Sequence, residues 1–284
     1  MMSTLITTTA ANLTSLGANS NIGDTYFETD NKKIVVWDGS AWTAYNNDGV
    51  SVPYANAYSV DFDGSNDLAE VSPNIAHSSV SAYTISSFVN FDSFGNHRGA
   101  YSILGGSSRT DFAYNVICRV NSATDIYIYH RGASNYSAFS VPSVSISTGT
   151  WYHFLQVWTG THIKFYIDGV EKLNSSSPNT TTYGGRSGYD IRFTLGFATL
   201  NYGDLKIDEF AWWDSDQSAN IGDIRDSVVG GPKDLSQMTT QPTHWYRMGD
   251  NDGGTGTTIT DQGIASTTYD MTLVNGASIV SSTP

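Results

Sequence analysis

Runs of alternating apolar and polar residues, separated by Asp, Gly, Asn and Ser, recur along this chain from residue 58 to residue 213. Residues 58–68 show the pattern most clearly, because one alternating run enters the turn at residues 63–66 and another leaves it at once. A period of two predicts strands with one buried face, and turn residues between such runs predict antiparallel hairpins. The chain is therefore predicted to be mainly β-structure.

The number and spacing of these strands favour an all-β fold, a two-sheet antiparallel jelly-roll sandwich. One short helix is predicted at residues 218–229, with Asp216 or Ser218 as its cap. Trp151 and Trp212 are expected in the core, and Trp213 is expected beneath the C-terminal segment. The predicted strands are residues 58–62, 67–72, 83–91, 100–105, 112–121, 125–130, 136–141, 151–159, 162–168, 190–197 and 205–213.

The composition and the hydrophobic pattern divide the chain into three segments. Residues 1–20 are uncharged and rich in Thr, Ser and Ala, which predicts an extended arm that orders against a partner. Residues 21–50 predict a small β unit. Residues 51–284 predict the sandwich, with a C-terminal extension.

The small β unit is rich in aromatic side chains. Its three predicted strands are too few to cover these rings, so the unit is predicted to dock on another chain. Packing on the main domain is the alternative. The residues predicted to make the attachment are Tyr26, Phe27, Trp37, Trp42 and Tyr45.

The net charge of −13 weighs against polyanionic partners. With 14 Lys and Arg, the chain lacks the clustered cations that bind nucleic acid or an anionic membrane surface. Only four of the 27 acidic residues are Glu, and the excess of Asp suits turn caps or hard-metal ligation. The single cysteine, Cys118, excludes a disulfide framework and is predicted to be a small buried side chain.

The beginning of the chain does not show the pattern of a signal peptide, because no basic segment precedes an apolar run. No window has the apolar length of a membrane span, so no membrane insertion is expected. The protein is expected to be made in the cytosol and to leave the cell by another route, such as assembly into a particle released on lysis.

Residues 23–42 carry the pattern G-D-x-Y-F-x-T-D-x-x-K-I-x-V-W-D-G-S-A-W. This segment resembles a short module of tailed-phage structural proteins. The resemblance implies that the protein is part of a virion and that residues 1–50 contact other virion proteins.

Five further segments occur in the order S-V-D-F-D-G-S-N-D, Y-T-I-S-S-F-V, G-T-W-Y-H-F, I-K-F-Y-I-D-G-V and I-D-E-F-A-W-W-D. Together they resemble the concanavalin A-like lectin/glucanase sandwich, in its laminin-G-like branch, over residues 55–230. The segment after residue 243 resembles the lead-in that often precedes such sandwiches. Because it follows the sandwich here, it is predicted to add strands and loops to the same domain.

Two acidic segments are candidates for a structural metal. Related sandwiches often hold Ca²⁺ between the segments that contain Asp63 and Asp208, so the resemblance implies these two residues as donors. The alternative is that the side chains of residues 61–67 cap a tight turn. A second oxygen-rich loop, residues 250–254, lacks the spacing of an EF-hand and is interpreted as a solvated turn.

Sugars dock on exposed aromatic rings beside polar groups that bind hydroxyls. The loops at residues 94–111 and 174–203 form the predicted binding edge, although packing of individual Tyr rings into the sandwich is the alternative. The predicted carbohydrate-binding residues are Tyr136, Tyr183, Arg186, Tyr189, Asn201 and Tyr202.

The sequence shows no catalytic constellation, and the protein is predicted not to be an enzyme. Glucanases on this fold resemble one another in a strand bearing Glu-x-Asp-x-x-Glu, and the four Glu of this chain do not have that spacing. The six His lack the spacing of zinc ligands, and His153, within a strand, is predicted to be structural.

These observations predict a phage virion protein, either a capsid decoration protein, a head fibre or a tail appendage, exposed at the virion surface. Its lectin-like domain is expected to contact host-surface glycans. Assembly into a homo-oligomer such as a trimer would multiply the avidity of weak sugar binding. Two alternatives stay open: a polysaccharide-degrading enzyme on the same fold, and a purely structural capsid cement protein.

Overall fold

The computed structural model divides the chain into two compact units, Met1–Tyr54 and Ala55–Pro284. For the first unit and for residues 114, 115, 131 and 136, the structure describes the backbone and not the side chains. The described residues are 6–8, 25–28, 33–37, 42–45, 56–72, 75, 80–95, 98–105, 114–131, 136–176, 191–198 and 201–284.

The first unit contains a four-stranded sheet of β1 (Ile6–Thr8), β2 (Thr25–Glu28), β3 (Lys33–Trp37) and β4 (Trp42–Tyr45) in that order. β1 runs parallel to β2, so part of the predicted arm is an edge strand of this sheet. The other two strand pairs are antiparallel. The predicted attachment residues lie on β2, β3 and β4, and their side chains are outside the described part of the chain.

The second unit is built from two eight-stranded antiparallel sheets, which confirms the predicted sandwich. Nearly every predicted strand is present within two residues of its expected ends. The strands are β5 (Ser59–Asp63), β6 (Leu68–Val71), β7 (Tyr83–Phe91), β8 (Arg98–Gly105), β9 (Tyr114–Ser122), β10 (Asp125–Arg131), β11 (Tyr136–Ser140), β12 (Trp151–Trp158), β13 (His162–Ile167), β14 (Val170–Ser176), β15 (Ile191–Leu195), β16 (Phe197–Ala198), β17 (Asn201–Tyr202), β18 (Asp204–Trp213), β19 (His244–Tyr246), β20 (Thr258–Ile259), β21 (Met271–Val274) and β22 (Ser278–Val280).

We call the two layers sheet A and sheet B. Sheet A has the strand order β11-β10-β9-β8-β15-β6-β21-β20, and sheet B has the order β14-β13-β12-β7-β18-β5-β22, with β19 paired to β18. β16 and β17 form a separate hairpin. The segment after residue 243 thus adds strands to both sheets, as its sequence predicts.

The core lies between the sheets, where alternate residues of each strand meet. Val116, Cys118 and Val120 of β9 point into it, so Cys118 is buried as predicted. Trp212 stacks on Tyr83 with ring centroids 5.0 Å apart. Trp151 is half-buried and outside this cluster, because it begins β12, so the expectation of a core position was wrong.

Residues 214–243 cover the outer face of sheet B. The Thr84 hydroxyl donates a hydrogen bond to the Ser215 carbonyl, and Trp213 Nε1 donates one to the Thr240 carbonyl. Trp213 is therefore buried beneath this later segment, as predicted. All nine residues of β7 are buried, since both faces of this strand are covered.

The predicted helix at residues 218–229 is shorter than expected. A 3-10 turn at Ser218–Asn220 leads into α1 (Ile221–Ile224), and the chain becomes extended at Arg225. Gln217 occupies the N-cap position of the turn, and the Asp216 side chain accepts a hydrogen bond from the Ser218 backbone N–H at 2.8 Å. A second 3-10 turn lies at Leu235–Gln237, and no helix in the described part of the chain is long and apolar enough to cross a membrane.

Candidate functional site

Two tyrosines stand side by side on the outer face of sheet A. In β10, Ile126 and Ile128 point into the core, so Tyr127 and Tyr129 point away from it. Their ring centroids are 6.4 Å apart, with 36° between the ring planes, and both side chains are half-buried. Paired rings with one accessible side are the usual platform for a sugar ring.

Arg119 completes this platform from the neighbouring strand β9. It is the register partner of Tyr127, and its guanidinium carbon lies 5.1 Å from the Tyr127 ring centroid and 5.0 Å from that of Tyr129. These distances are typical of cation–π contacts. Arg119 is only 9% exposed.

The β16–β17 hairpin packs beside this group. Gly99 is the register partner of Arg119 on the side opposite Tyr127. A Cβ at Gly99 would lie 2.2 Å from the Ala198 backbone nitrogen, so the hairpin backbone fits only because the residue is glycine. Asn201 at the start of β17 is exposed, and the Tyr202 ring packs 5.2 Å from that of Phe197.

We call this group, Arg119, Tyr127, Tyr129, Asn201 and Tyr202, the outer-face site. Asn201 and Tyr202 are predicted carbohydrate-binding residues that the fold brings next to sheet A. Tyr136 begins β11, the strand beside β10, and its side chain is outside the described residues, as are Tyr183, Arg186 and Tyr189 entirely. The sequence reasoning missed Arg119, Tyr127 and Tyr129, although the alternation Ile-Tyr-Ile-Tyr in β10 signals two rings on one face.

A second polar group is buried in the sandwich. Carboxylate oxygens of Asp208, Glu209 and Asp250 lie within 4.8 Å of one another. Asp208 is fully buried and Glu209 is 2% exposed. The register of β18 against β7 shifts between Asp208 and Ala211, and Glu209 has a φ of 47°, so a bulge brings these adjacent carboxylates together. We call these three residues the carboxylate cluster.

Hydrogen bonds hold each member in place. Asp208 accepts from Asn56 Nδ2 at 2.8 Å, and Glu209 accepts from Trp245 Nε1 at 2.6 Å and from Arg247 Nε at 3.2 Å. Asp250 Oδ1 accepts from the Ala57 backbone N–H at 2.8 Å. The Glu209 backbone N–H also donates to Asp208 Oδ1 at 2.8 Å, whereas the other four donors come from segments distant in sequence from the acids that they hold.

The electrostatics of the cluster disfavour three bare charges. Burial raises the pKa of Asp208 well above its ordinary value, and the adjacent Glu209 charge raises it further. Burial also raises the pKa of Asp250. Two buried oxygens, Asn56 Oδ1 and Asp250 Oδ2, accept no hydrogen bond. Such a set of hard oxygen donors fits a divalent cation such as Ca²⁺.

Asp63 does not belong to this cluster. It is exposed, and its Oδ1 accepts a hydrogen bond from the Ser65 backbone N–H at 2.8 Å, which is the turn-capping alternative. The register partner of Asp63 on β18 is Asp204. Asp208 lies four residues further along β18, so Asp204 and Asp208 are about 13 Å apart. The predicted pairing of Asp63 with Asp208 was therefore wrong. The interpretation of Asp250 as part of a solvated turn was also wrong, because its carboxylate faces Asp208 and Glu209.

Three further residues of the described part of the chain, His153, Glu70 and Glu171, lie in structural contacts. His153 is fully buried with its Nε2 2.8 Å from the Ser86 hydroxyl, as expected of a structural residue. Glu70 forms an ion pair with Arg192 at 3.2 Å, and Glu171 accepts from the Tyr166 hydroxyl.

The two antiparallel sheets form a lectin-like sandwich. A laminin G-type family model, described as the concanavalin A-like lectin/glucanases superfamily, matches residues 63–220, and the chain belongs to this family. Comparison with curated protein sequences gave no match.

Solved structures share this architecture at low sequence identity. A candidate carbohydrate binding protein from Bacteroides ovatus ATCC 8483 aligns over 93% of this chain and 70% of its own, with a TM-score of 0.58 and 15% identity. The native heptameric SAP-like pentraxin from Limulus polyphemus aligns over 60% of this chain and 82% of its own, with a TM-score of 0.45 and 15% identity. At this identity the likeness concerns the fold.

Proposed function

We propose that the sandwich binds carbohydrate at the outer-face site. The observation that carries the proposal is the pair of adjacent, half-buried rings of Tyr127 and Tyr129 on the outer face of sheet A, with the Arg119 guanidinium carbon 5.1 and 5.0 Å from their centroids. The neighbouring Asn201 offers amide groups for sugar hydroxyls. The family and the Bacteroides ovatus neighbour, a candidate carbohydrate binding protein, agree with this proposal.

Binding without catalysis is the form of this function that we favour. Glycosidases use two carboxyl groups that flank the scissile bond. The carboxylate cluster does bring acids together, but Asp208 and Glu209 are buried and Glu209 accepts hydrogen bonds from Trp245 and Arg247. Acids in such a position do not reach a glycosidic bond. Incubation with a glycan that binds is expected to release no reducing sugar.

Glycan-array binding tests the proposal directly. Tyr127→Ala and Tyr129→Ala are each expected to weaken binding by about 1–2 kcal/mol, because each removes one stacking surface. Val228→Ser is a matched surface control, since this side chain is 90% exposed in the segment over sheet B. Unchanged binding by both tyrosine variants would place the sugar elsewhere.

We also propose that the carboxylate cluster holds a structural Ca²⁺. The donors would be Asp208, Glu209 and Asp250, with the unpaired Asn56 Oδ1 completing an oxygen set. Bound Ca²⁺ would neutralise the buried charges and tie the start of the sandwich, at Asn56, to β18 and to the loop after β19. A proton shared between Asp208 and Asp250 is the alternative.

Thermal unfolding with and without Ca²⁺ separates these two states. Saturating Ca²⁺ is expected to stabilise the wild-type protein by about 3 kcal/mol at a hundredfold excess over Kd. The effect is expected to shrink at lower pH, because protons compete for Asp208 and Asp250, whose pKa values are raised. Asp250→Asn is expected to abolish it, and the exposed Asp63→Asn to keep it. Equal melting with Ca²⁺ and with a chelator would favour the shared proton.

We further propose that the protein is displayed on a tailed-phage particle as a decoration protein, head fibre or tail appendage. The phage-like pattern of residues 23–42 supports this setting, as does the separate compact unit Met1–Tyr54 that contains it. In this arrangement residues 1–50 attach to other virion proteins, and a homo-oligomer such as a trimer presents several sandwiches to host glycans. Deleting residues 1–50 is expected to abolish incorporation into particles while glycan binding persists; normal incorporation would contradict the proposal.

A further inference from the structure

Arg119 differs from the other arginines of the sandwich. Arg98 pairs with Asp204 at 3.0 Å, Arg192 with Glu70 at 3.2 Å, and Arg247 with Glu209 at 3.2 Å. Arg225 lies 3.6 Å from Asp168. Among the arginines whose side chains the structure describes, Arg119 alone has no carboxylate partner.

Arg119 is also the arginine whose burial makes a carboxylate partner most necessary. It is about nine-tenths buried, and its Nε is a buried donor without a hydrogen-bond partner. Its described side-chain contacts are the faces of Tyr127 and Tyr129. A buried cation without a counter-charge is costly, and cation–π contacts offset this cost only in part. The chain has 27 Asp and Glu, yet no carboxylate among the described residues forms an ion pair with Arg119.

We propose that the counter-charge comes from the ligand, so that the outer-face site recognises an acidic glycan, one whose sugars carry carboxylate or sulfate groups. This inference rests on the proposed carbohydrate binding and names its ligand class. The planar guanidinium presents donors that match the paired oxygens of either group, and its partial burial strengthens the attraction. The sugar ring that bears the anion lies against Tyr127 and Tyr129.

The surroundings of the site favour selectivity over affinity for any polyanion. Next to Arg119 along the outer face, the register partners are Gly99 and Tyr127, followed by Ser140, none of which is charged. The rest of the protein is strongly acidic and repels a polyanion at long range. A single desolvated cation therefore selects a glycan that places one anionic group beside the tyrosine rings.

Matched pairs of charged and neutral glycans test this inference by calorimetry. An oligogalacturonate is compared with its methyl ester, and dextran sulfate with dextran, so that the two arms separate a carboxylate ligand from a sulfate ligand. The charged member of at least one pair is expected to bind at least about tenfold more tightly. Arg119→Gln is expected to remove this preference. Arg192→Gln, on the same face of sheet A but already paired with Glu70, is expected to keep it.

The stability of the unliganded variant gives a second readout. Because Arg119→Gln removes an unpaired buried charge, we expect its melting temperature to equal or exceed that of the wild type while acidic-glycan binding falls. A lower melting temperature together with unchanged binding would mean that Arg119 only supports the packing of the tyrosines.

The outcomes separate this inference from the function on which it rests. Equal binding of charged and neutral members in both pairs overturns the inference and leaves carbohydrate binding standing. Absence of binding to both charged probes also overturns it. If the wild type in addition binds no neutral glycan on the array, the proposed function fails as well.

Discussion

Two histidines, His130 and His153, are fully buried in the second unit. His130 of β10 has its Nδ1 3.0 Å from the Tyr83 hydroxyl and stacks 4.4 Å from the Trp158 ring. The Gln156 amide receives a hydrogen bond from the Tyr101 hydroxyl at 3.0 Å. These contacts join residues of sheet A to residues of sheet B, so polar bonds as well as apolar packing fix the two layers together.

Burial makes both histidines sensitive to acid. It lowers the pKa of His130 from 6.5 to about 4. It lowers that of His153 to about 3, and the nearby Arg225 charge lowers it further. The folded protein therefore favours the neutral rings, and this contribution to stability is complete above pH 6.5. It is lost as the pH falls from 6.5 towards these lowered values.

We predict that the free energy of unfolding falls by about 2 kcal/mol for each of these histidines between pH 6.5 and about pH 5. Urea denaturation across this pH range measures how steeply the free energy of unfolding depends on pH. This slope is expected to be smaller for His153→Asn than for the wild type. His162→Asn, which changes an exposed side chain, serves as the control and is expected to keep the wild-type slope. Equal slopes for wild type and His153→Asn would contradict the prediction.

At the scale of the element, the β16–β17 hairpin depends on two close backbone approaches. A Cβ at Gly99 would lie 2.2 Å from Ala198 N, and a Cβ at Gly203 would lie 2.4 Å from the Gly99 carbonyl oxygen. Neither neighbour is a flexible side-chain end, so the hairpin has no easy way to move aside. Its position beside Arg119 therefore follows from the two glycines.

We predict that Gly99→Ala destabilises the protein by about 1–3 kcal/mol and weakens glycan binding, because the hairpin must shift away from the sheet. Gly222→Ala is the matched control. A Cβ there meets nothing within 4 Å in a helical segment, so stability is expected to stay equal or rise slightly. Denaturation curves and glycan affinities of both variants test this prediction. If Gly99→Ala had the stability and the glycan affinity of the wild type, the close contact would be contradicted.

The strands themselves were largely predictable, and the helix was not. Alternation over residues 125–131 and 162–167 marks β10 and β13 within a residue, because one face of each strand is buried. The predicted helix at residues 218–229 stops at Ile224, because Arg225 is extended and the Asp226 side chain accepts from the backbone N–H groups of Val228 and Val229. A local turn of this kind competes with helix in a way that apolar periodicity does not reveal.

At the scale of the whole molecule, the end of the chain completes the beginning of the sandwich. Ser278–Val280 pairs with β5, and Met271–Val274 pairs with β6. Each of the two sheets therefore contains one strand from the last sixteen residues. Met271 and Leu273 of this segment, and Ile259 just before it, are part of the core. The first unit, Met1–Tyr54, is by contrast a separate compact unit.

We predict opposite results for the two truncations. Removing residues 269–284 is expected to prevent folding, because it exposes the edges of β5 and β6 and opens the core. Removing residues 1–54 is expected to leave the sandwich with its cooperative unfolding and its glycan affinity. Circular dichroism and thermal melting of both proteins test this, and a soluble, cooperatively folded protein without residues 269–284 would contradict it.

The sequence by itself determined the class of fold, since a period of two and the turn residues between the runs are local properties of the chain. It also placed Cys118, His153 and Trp213 correctly. The tertiary structure alone decided which side chains meet. Strand pairing brings Arg119 to Tyr127 and Tyr129, and the close approach at Gly99 places the β16–β17 hairpin beside sheet A. A bulge in β18 brings Asp208 and Glu209 together, and the loop after β19 adds Asp250 to them. Register and bulges depend on partners far apart in sequence, and local patterns carry little information about them.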